Sequence, residues 1–91
     1  MNFKLKVGDV CKLKEMKPGL YKKDDWKTGL YRVKNIWAPF CYGRDKEDPR
    51  RQSYFFEKIK KDGTVFKSFS NGYNCQTWDK WIAEGKVEIV K

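Results

Sequence analysis

The chain has 91 residues, of which 36% are charged, 40% hydrophobic and 16% aromatic, with a net charge of +9 and no histidine. That length accommodates one domain, residues 1–91, whose core buries about 60–65% of the surface the unfolded chain exposes. The composition is globular rather than disordered, no apolar run is long enough for a membrane-spanning helix, and the missing histidine removes the commonest acid–base catalyst.

Phe3, Leu5 and Val7 alternate with Lys4 and Lys6, Gly8-Asp9 turns the chain, and Val10, Cys11 and Leu13 resume the apolar rhythm. This pattern predicts strand, turn, strand. Residues 15–29, "EMKPGLYKKDDWKTG", carry Pro18-Gly19 and Thr28-Gly29 as breakers and form a first long loop. "LYRVKNI", Leu30–Ile36, reads as a strand with Tyr31 and Val33 on one face. The next stretch, "WAPFCYGRDKEDPRRQ", Trp37–Gln52, fits no regular element, because two prolines, a glycine and a charge cluster break any period. Loops beyond roughly 12–15 residues are uncommon in compact domains and tend to be functional.

"SYFFEKIKKDGTVFKSF" then places Asp62-Gly63 between two apolar runs, a hairpin signal. A two-residue loop would set Ile59 against Phe66 and Glu57 against Ser68. A three-residue loop, Lys61-Asp62-Gly63 with Gly63 left-handed, pairs Ile59 with Val65, Glu57 with Lys67 and Phe55 with Phe69. The second register is preferred, since each such pair contributes about 0.2–1 kcal/mol. "TWDKWIAEG" puts Trp78, Trp81 and Ile82 at helical spacing, with Thr77 as N-cap and Gly85 beyond the C-terminus, and predicts a helix over Thr77–Glu84. "KVEIV", Lys86–Val90, is the last strand.

Chain order and short connections predict a mostly β, antiparallel domain closed as a small barrel with one short helix near the C-terminus. "VGDVCKLKE", a long loop, "GLYRVKNI", a hairpin and a last strand after a helical turn resemble the SH3-like small barrels. The resemblance implies a ligand face framed by the first long loop and the loop opposite. The compact, lysine-rich chain ending "WIAEGKVEIVK" also resembles small accessory proteins of large tailed bacteriophages, which implies a host-takeover or anti-defence factor.

Cys11, Cys41 and Cys75 lie 30 and 34 residues apart with no histidine to join them, so neither a metal site nor a disulfide framework is expected. Three reduced thiols, and a start without the apolar core of a signal peptide, predict a cytoplasmic protein, in the host bacterial cytoplasm if the phage resemblance holds. No glycine-rich phosphate cradle follows a strand and opens a helix. The adjacent pairs Asp24-Asp25 and Glu47-Asp48 sit among lysines and read as solvated ion pairs. Asp9 with Glu15-Met16-Lys17 is similar to a metal-dependent nuclease pattern, but Glu-x-Lys recurs at Glu84-Gly85-Lys86, as chance predicts in a lysine-rich chain. An enzyme is not expected, and neither a cofactor nor a metal.

What remains is aromatic and basic interleaving. Residues 1–67 hold 18 Lys/Arg against 9 Asp/Glu, while residues 68–91 hold 3 against 3, so the positive field belongs to the first three quarters. Aromatic faces stack bases, worth roughly 1–3 kcal/mol per base, and Lys and Arg neutralise phosphates. Both residue types occur in the first loop, with Tyr21, Lys22, Lys23 and Trp26, and in the second, with Trp37, Phe40, Tyr42, Arg44, Arg50 and Arg51. The expected function is a non-enzymatic binder of nucleic acid or nucleotide using Lys22, Lys23, Trp26, Trp37, Tyr42, Arg44, Arg50 and Arg51. The alternative is a phage-encoded inhibitor that binds a bacterial host or defence protein through residues 37–52, since Tyr, Trp and Arg dominate protein hot spots. Some of the loop aromatics are expected to fold back as lids on the core.

Overall fold

A computed structural model describes residues 3–17, 26–38 and 41–90, with backbone alone for 67–71. The expectations placed on Pro18-Gly19, Tyr21, Lys22, Lys23, Asp24-Asp25 and Phe40 lie outside the described residues. Among the described residues five strands form one antiparallel sheet: β1 Val10–Leu13, β2 Gly29–Trp37, β3 Ser53–Ile59, β4 Val65–Asn74 and β5 Val87–Val90, in the order β4-β3-β2-β1-β5. One helix, α1 Cys75–Ala83, joins β4 to β5. The mostly β class and the single helix agree with the sequence reading. Barrel closure does not: β4 and β5 are the two edges of an open sheet.

One face of the sheet carries the core. Cys11 and Leu13, Tyr31 and Val33, Tyr54 and Phe56, and Val87 point to it, and Trp78 of α1 and Trp26 cover them. Tyr31 and Val33 share that face as the period-2 rhythm requires. The rings of Tyr31, Phe56, Tyr73 and Trp78 surround Trp26 at centroid distances of 5.2–5.6 Å. The backbones of Trp26 and Lys17 exchange two hydrogen bonds of 2.8 and 2.9 Å, closing the neck of the first long loop.

The expected first strand is corrected. Residues 3–9 contribute no strand, and side chains take the backbone donors of residues 4–6: Leu5 N donates to the Tyr54 hydroxyl (3.1 Å), Lys4 N to Asp79 (3.2 Å) and Lys6 N to Asp9 (2.9 Å). Tyr54 in turn donates to Asp79 at 2.6 Å, so Leu5 is tied to the core by a partly buried polar relay. The Gly8-Asp9 turn forms as expected, with Gly8 at φ +96 and Asp9 N on Lys6 O.

The β3–β4 hairpin takes the expected three-residue turn: Lys60 N donates to Thr64 O, Gly63 has φ +89, and Ile59 faces Val65. Farther along, the pairing slips. Glu57 faces Ser70 and Phe55 faces Gly72, not Lys67 and Phe69. Glu57 meets its opposite charge on the other side, where Arg32 lies across on β2 and its Nε donates to the carboxylate at 2.6 Å. The Phe55 ring lies against Gly72, and an added Cβ there would stand 2.7 Å from it. A cross-strand aromatic of this kind covers the backbone a strand glycine exposes.

The helix starts two residues before the predicted Thr77. Asn74, not Thr77, is the N-cap, and its Oδ1 accepts from Gln76 N and Thr77 N at 3.0 and 3.1 Å. At the other end Gly85 N donates to Ile82 O and Lys86 N to Trp81 O, the Schellman pattern, with Gly85 at φ +80 as anticipated. Among the described residues no helix is long and apolar enough to cross a membrane.

Candidate functional site

Two regions carry exposed aromatic and basic residues, and they stand at opposite ends of the sheet. The first is built on a row of directly opposed residues, Lys12 on β1, Leu30 on β2, Ile59 on β3 and Val65 on β4. This row lies on the face away from the core. At the hairpin end of the sheet Lys58, Lys60, Lys61 and Phe66 join Lys12, Leu30 and Ile59 around a groove of about 460 Å³. Its floor is apolar, from Leu30 and Ile59. Its lining carries Lys12, Lys58, Lys60 and Lys61, and among the described residues no carboxylate lines it.

Lys58 is fixed there by a glycine. Gly29 has φ +145, and the position of a Cβ on it is 3.2 Å from Lys58 Cε, so the lysine chain crosses where a side chain would stand. Its Nζ lies 3.5 Å from Thr28 O and 5.6 Å from the centroid of Tyr31. Burial, and then the charge of Lys27, lower the Lys58 pKa. The ammonium is therefore incompletely solvated and near a like charge, which is the environment an anion relieves. Phe66 is 38% exposed, and the Nζ atoms of Lys60 and Lys58 lie 5.2 and 5.7 Å from its centroid. Both fall within cation–π range.

The second region is the loop from Trp37 to Gln52. Within it residues 43–47 and 49–51 form two 3-10 turns rather than an irregular coil. Asp48 organises the second turn. Its carboxylate accepts from Arg50 N at 2.9 Å and from Arg50 Nε and Nη2 at 3.1 and 2.9 Å. These bonds hold the Asp48 carboxyl below its usual range. Arg51 Nε lies 3.7 Å from Asp48 and 3.9 Å from Asp45. Both arginines are exposed, yet their charge is spent within the loop.

Trp37 is 48% exposed on the sheet's outer face, 5.6 Å from the ring of Phe55. A β-bulge between Val33 and Asn35 puts it there by reversing the in–out order, so that Ile36 turns inward. Asn35 Oδ1 accepts from Ile36 N beside the bulge, at 2.9 Å. Trp37 also borders a cavity of about 340 Å³ with Ala38, Cys41 and Gln52. Tyr42 is 82% exposed, and Arg44 is exposed beside it.

The structure thus separates residues the sequence reading grouped. Trp26, expected on a ligand face, is 1% exposed at the centre of the core and offers no face to a ligand. Lys22 and Lys23 lie outside the described residues. Trp37, Tyr42, Arg44, Arg50 and Arg51 share one loop, about 23 Å along β2 from Leu30 at a rise of about 3.3 Å per residue. Sequence reasoning missed Lys12, Lys58, Lys60, Lys61 and Phe66. The signal was "KIKKDGTVF", in which a hairpin turn is flanked by lysines and an aromatic.

Among the described residues no three His, Cys, Asp or Glu side chains converge as a metal would require. Cys11 and Cys75 are fully buried, and burial pushes each thiol up to about 12, so neither offers a thiolate nucleophile near neutral pH. The arrangement can hold an anion and stack a flat ring. No family model matches the chain, and no curated protein or solved structure matches it either.

Proposed function

We propose that this protein is a non-enzymatic binder of nucleic acid or nucleotide, acting in the cytoplasm, with the lysine groove as its principal ligand site. The observation that carries the reading is the lining of that groove: four lysines around Leu30, Ile59 and an exposed Phe66, with no carboxylate among the described lining residues. Lysines neutralise phosphates and release condensed counterions, while the apolar floor accepts a sugar or base edge. The test is fluorescence anisotropy of a labelled twelve-nucleotide single strand between 50 and 200 mM salt. Three to four phosphates held give a log–log slope of about −2 to −3. A flat salt dependence, or unchanged affinity in Lys58→Gln/Lys60→Gln, would refute it.

A second reading draws on the other end of the sheet. Tyr42 and Trp37 are large, exposed and in the same loop as arginines already paired with Asp48, a composition that suits a protein partner better than a polyanion. In this reading the chain is a phage-encoded inhibitor docking a bacterial protein through residues 37–52. Capture of one partner from nuclease-treated bacterial lysate, lost in Trp37→Ala/Tyr42→Ala, supports it. Capture insensitive to that pair of changes refutes it.

A further inference from the structure

Phe66 and its two lysines define more than a patch of positive charge. The ring stands 38% exposed at the rim of the groove, and in the free protein two ammonium groups rest against it. A cation over an exposed ring contributes only about 0.5–1 kcal/mol, whereas a charge-assisted bond to a phosphate oxygen is stronger and shorter. An arriving phosphate therefore draws Lys58 and Lys60 off the ring. The face they vacate is then open to a base. Phosphate binding and base stacking are coupled through the same two side chains.

Resting on the nucleic-acid reading above, we infer that the groove takes single-stranded nucleic acid, with one unpaired base stacked on Phe66 and its flanking phosphates on Lys58 and Lys60. A duplex cannot meet both halves of this site, since its bases are stacked on one another and present no free face. A groove of about 460 Å³ holds a unit of nucleotide size, so the strand crosses the site with one nucleotide seated. Lys12 on β1 and Lys61 in the turn then meet phosphates to either side.

The experiment measures the affinity of the intact protein for four probes by anisotropy and competition: a twelve-residue oligothymidylate, the same strand with its central four bases removed, a twelve-base-pair duplex, and thymidine monophosphate. Wild type is compared with Phe66→Ala, Phe66→Leu, Phe66→Tyr and Lys58→Gln/Lys60→Gln, each checked by its thermal melt. Expected is a roughly 5- to 150-fold weakening on loss of the ring, the worth of one base–aromatic stack. Phe66→Leu, which keeps apolar bulk without a π face, weakens binding as Phe66→Ala does, and Phe66→Tyr restores it. The abasic strand binds wild type as weakly as the intact strand binds Phe66→Ala. Equal binding of intact and abasic strands, with Phe66→Ala unaffected but the lysine variant weakened, overturns the stacked base and leaves the phosphate groove standing. A duplex bound as tightly as the strand overturns the single-strand assignment. Thymidine monophosphate competing as well per molecule as the strand assigns the site to a free nucleotide and overturns it too. If no probe binds, the underlying nucleic-acid reading fails along with it.

Discussion

Replacing Trp26 by alanine separates a core residue from a ligand platform. The indole is 1% exposed and lies within 5.2–5.6 Å, centroid to centroid, of four other rings. Removing a buried Trp costs about 3–5 kcal/mol, since the transfer free energy of the ring is lost and the cavity collapses only in part. A domain of this length has about 5–14 kcal/mol in total at 0.05–0.15 kcal/mol per residue. Each kcal/mol corresponds to about 4–8 °C for a domain of this size, so Trp26→Ala lowers Tm by about 12–40 °C. The backbone bonds between Lys17 and Trp26 do not involve the side chain and do not offset this loss. Trp26→Phe keeps an aromatic body and is expected to cost about 1–2 kcal/mol. Urea unfolding followed by circular dichroism measures both variants, with an unchanged m value as the sign that only stability moved. A Tm within about 4 °C of wild type in Trp26→Ala, accompanied by lost ligand binding, would show the ring to be a binding face and refute the packing argument.

Gly72→Ala places a methyl group 2.7–2.9 Å from three atoms of the Phe55 ring, and an overpacked site of this kind costs about 1–3 kcal/mol. In a Phe55→Leu background the cost shrinks, and strict additivity of the two changes would contradict the contact. Ellman's reagent at pH 8 should titrate one thiol quickly in the native protein, the half-buried Cys41, and all three in denaturant. Three fast thiols in the native state would mean that Cys11 and Cys75 are accessible. The Asp48 carboxyl, held below 3.8 by the hydrogen bonds of Arg50, contributes stability to the 3-10 turn that is present above pH 3.8 and is lost as the pH falls through its lowered value. An NMR titration of the Asp48 carboxyl carbon with a midpoint at or above 3.8 would remove that clamp.

Period-2 alternation was enough to find β2 and its buried face, because Tyr31 and Val33 have no competing environment. The same rule misplaces Trp37: continued past Val33 it points Trp37 inward, and only the extra residue of the bulge turns it to solvent. A bulge accommodates a local mismatch between two strands, so one strand read alone does not announce it. Ile59 against Val65 was legible because the turn chemistry of Asp62-Gly63 fixes the first pair. Glu57 and Phe55 were not, since the slip lies beyond the reach of the turn, where Arg32 and Gly72 offer better partners. Helix periodicity located Trp78 and Trp81, while the cap went to Asn74, a strand residue whose side chain accepts from Gln76 N and Thr77 N and so starts the helix before Thr77. The lysine groove was the least legible feature. Lys12, Leu30 and Ile59 are far apart in the chain and become neighbours only through strand order, whereas Trp37, Tyr42 and Arg50 advertised themselves by lying together in one loop.

Asn74 serves three parts of the molecule with one side chain. Besides capping α1, it donates from Nδ2 to Arg50 O at 2.9 Å, while the next amide, Cys75 N, donates to Gln52 O at 2.9 Å. Opening the 49–52 turn therefore uncaps the helix, and fraying the first turn of the helix releases the 49–52 turn. The two segments form a single cooperative opening unit despite lying some twenty residues apart in the chain. In native-state hydrogen exchange the amides of Arg51, Cys75 and Thr77 are expected to share one opening free energy and to shift together in Asn74→Ala. Any molecule that seizes the loop at Tyr42 or Trp37 would thus register in the exchange of helix amides that it never touches.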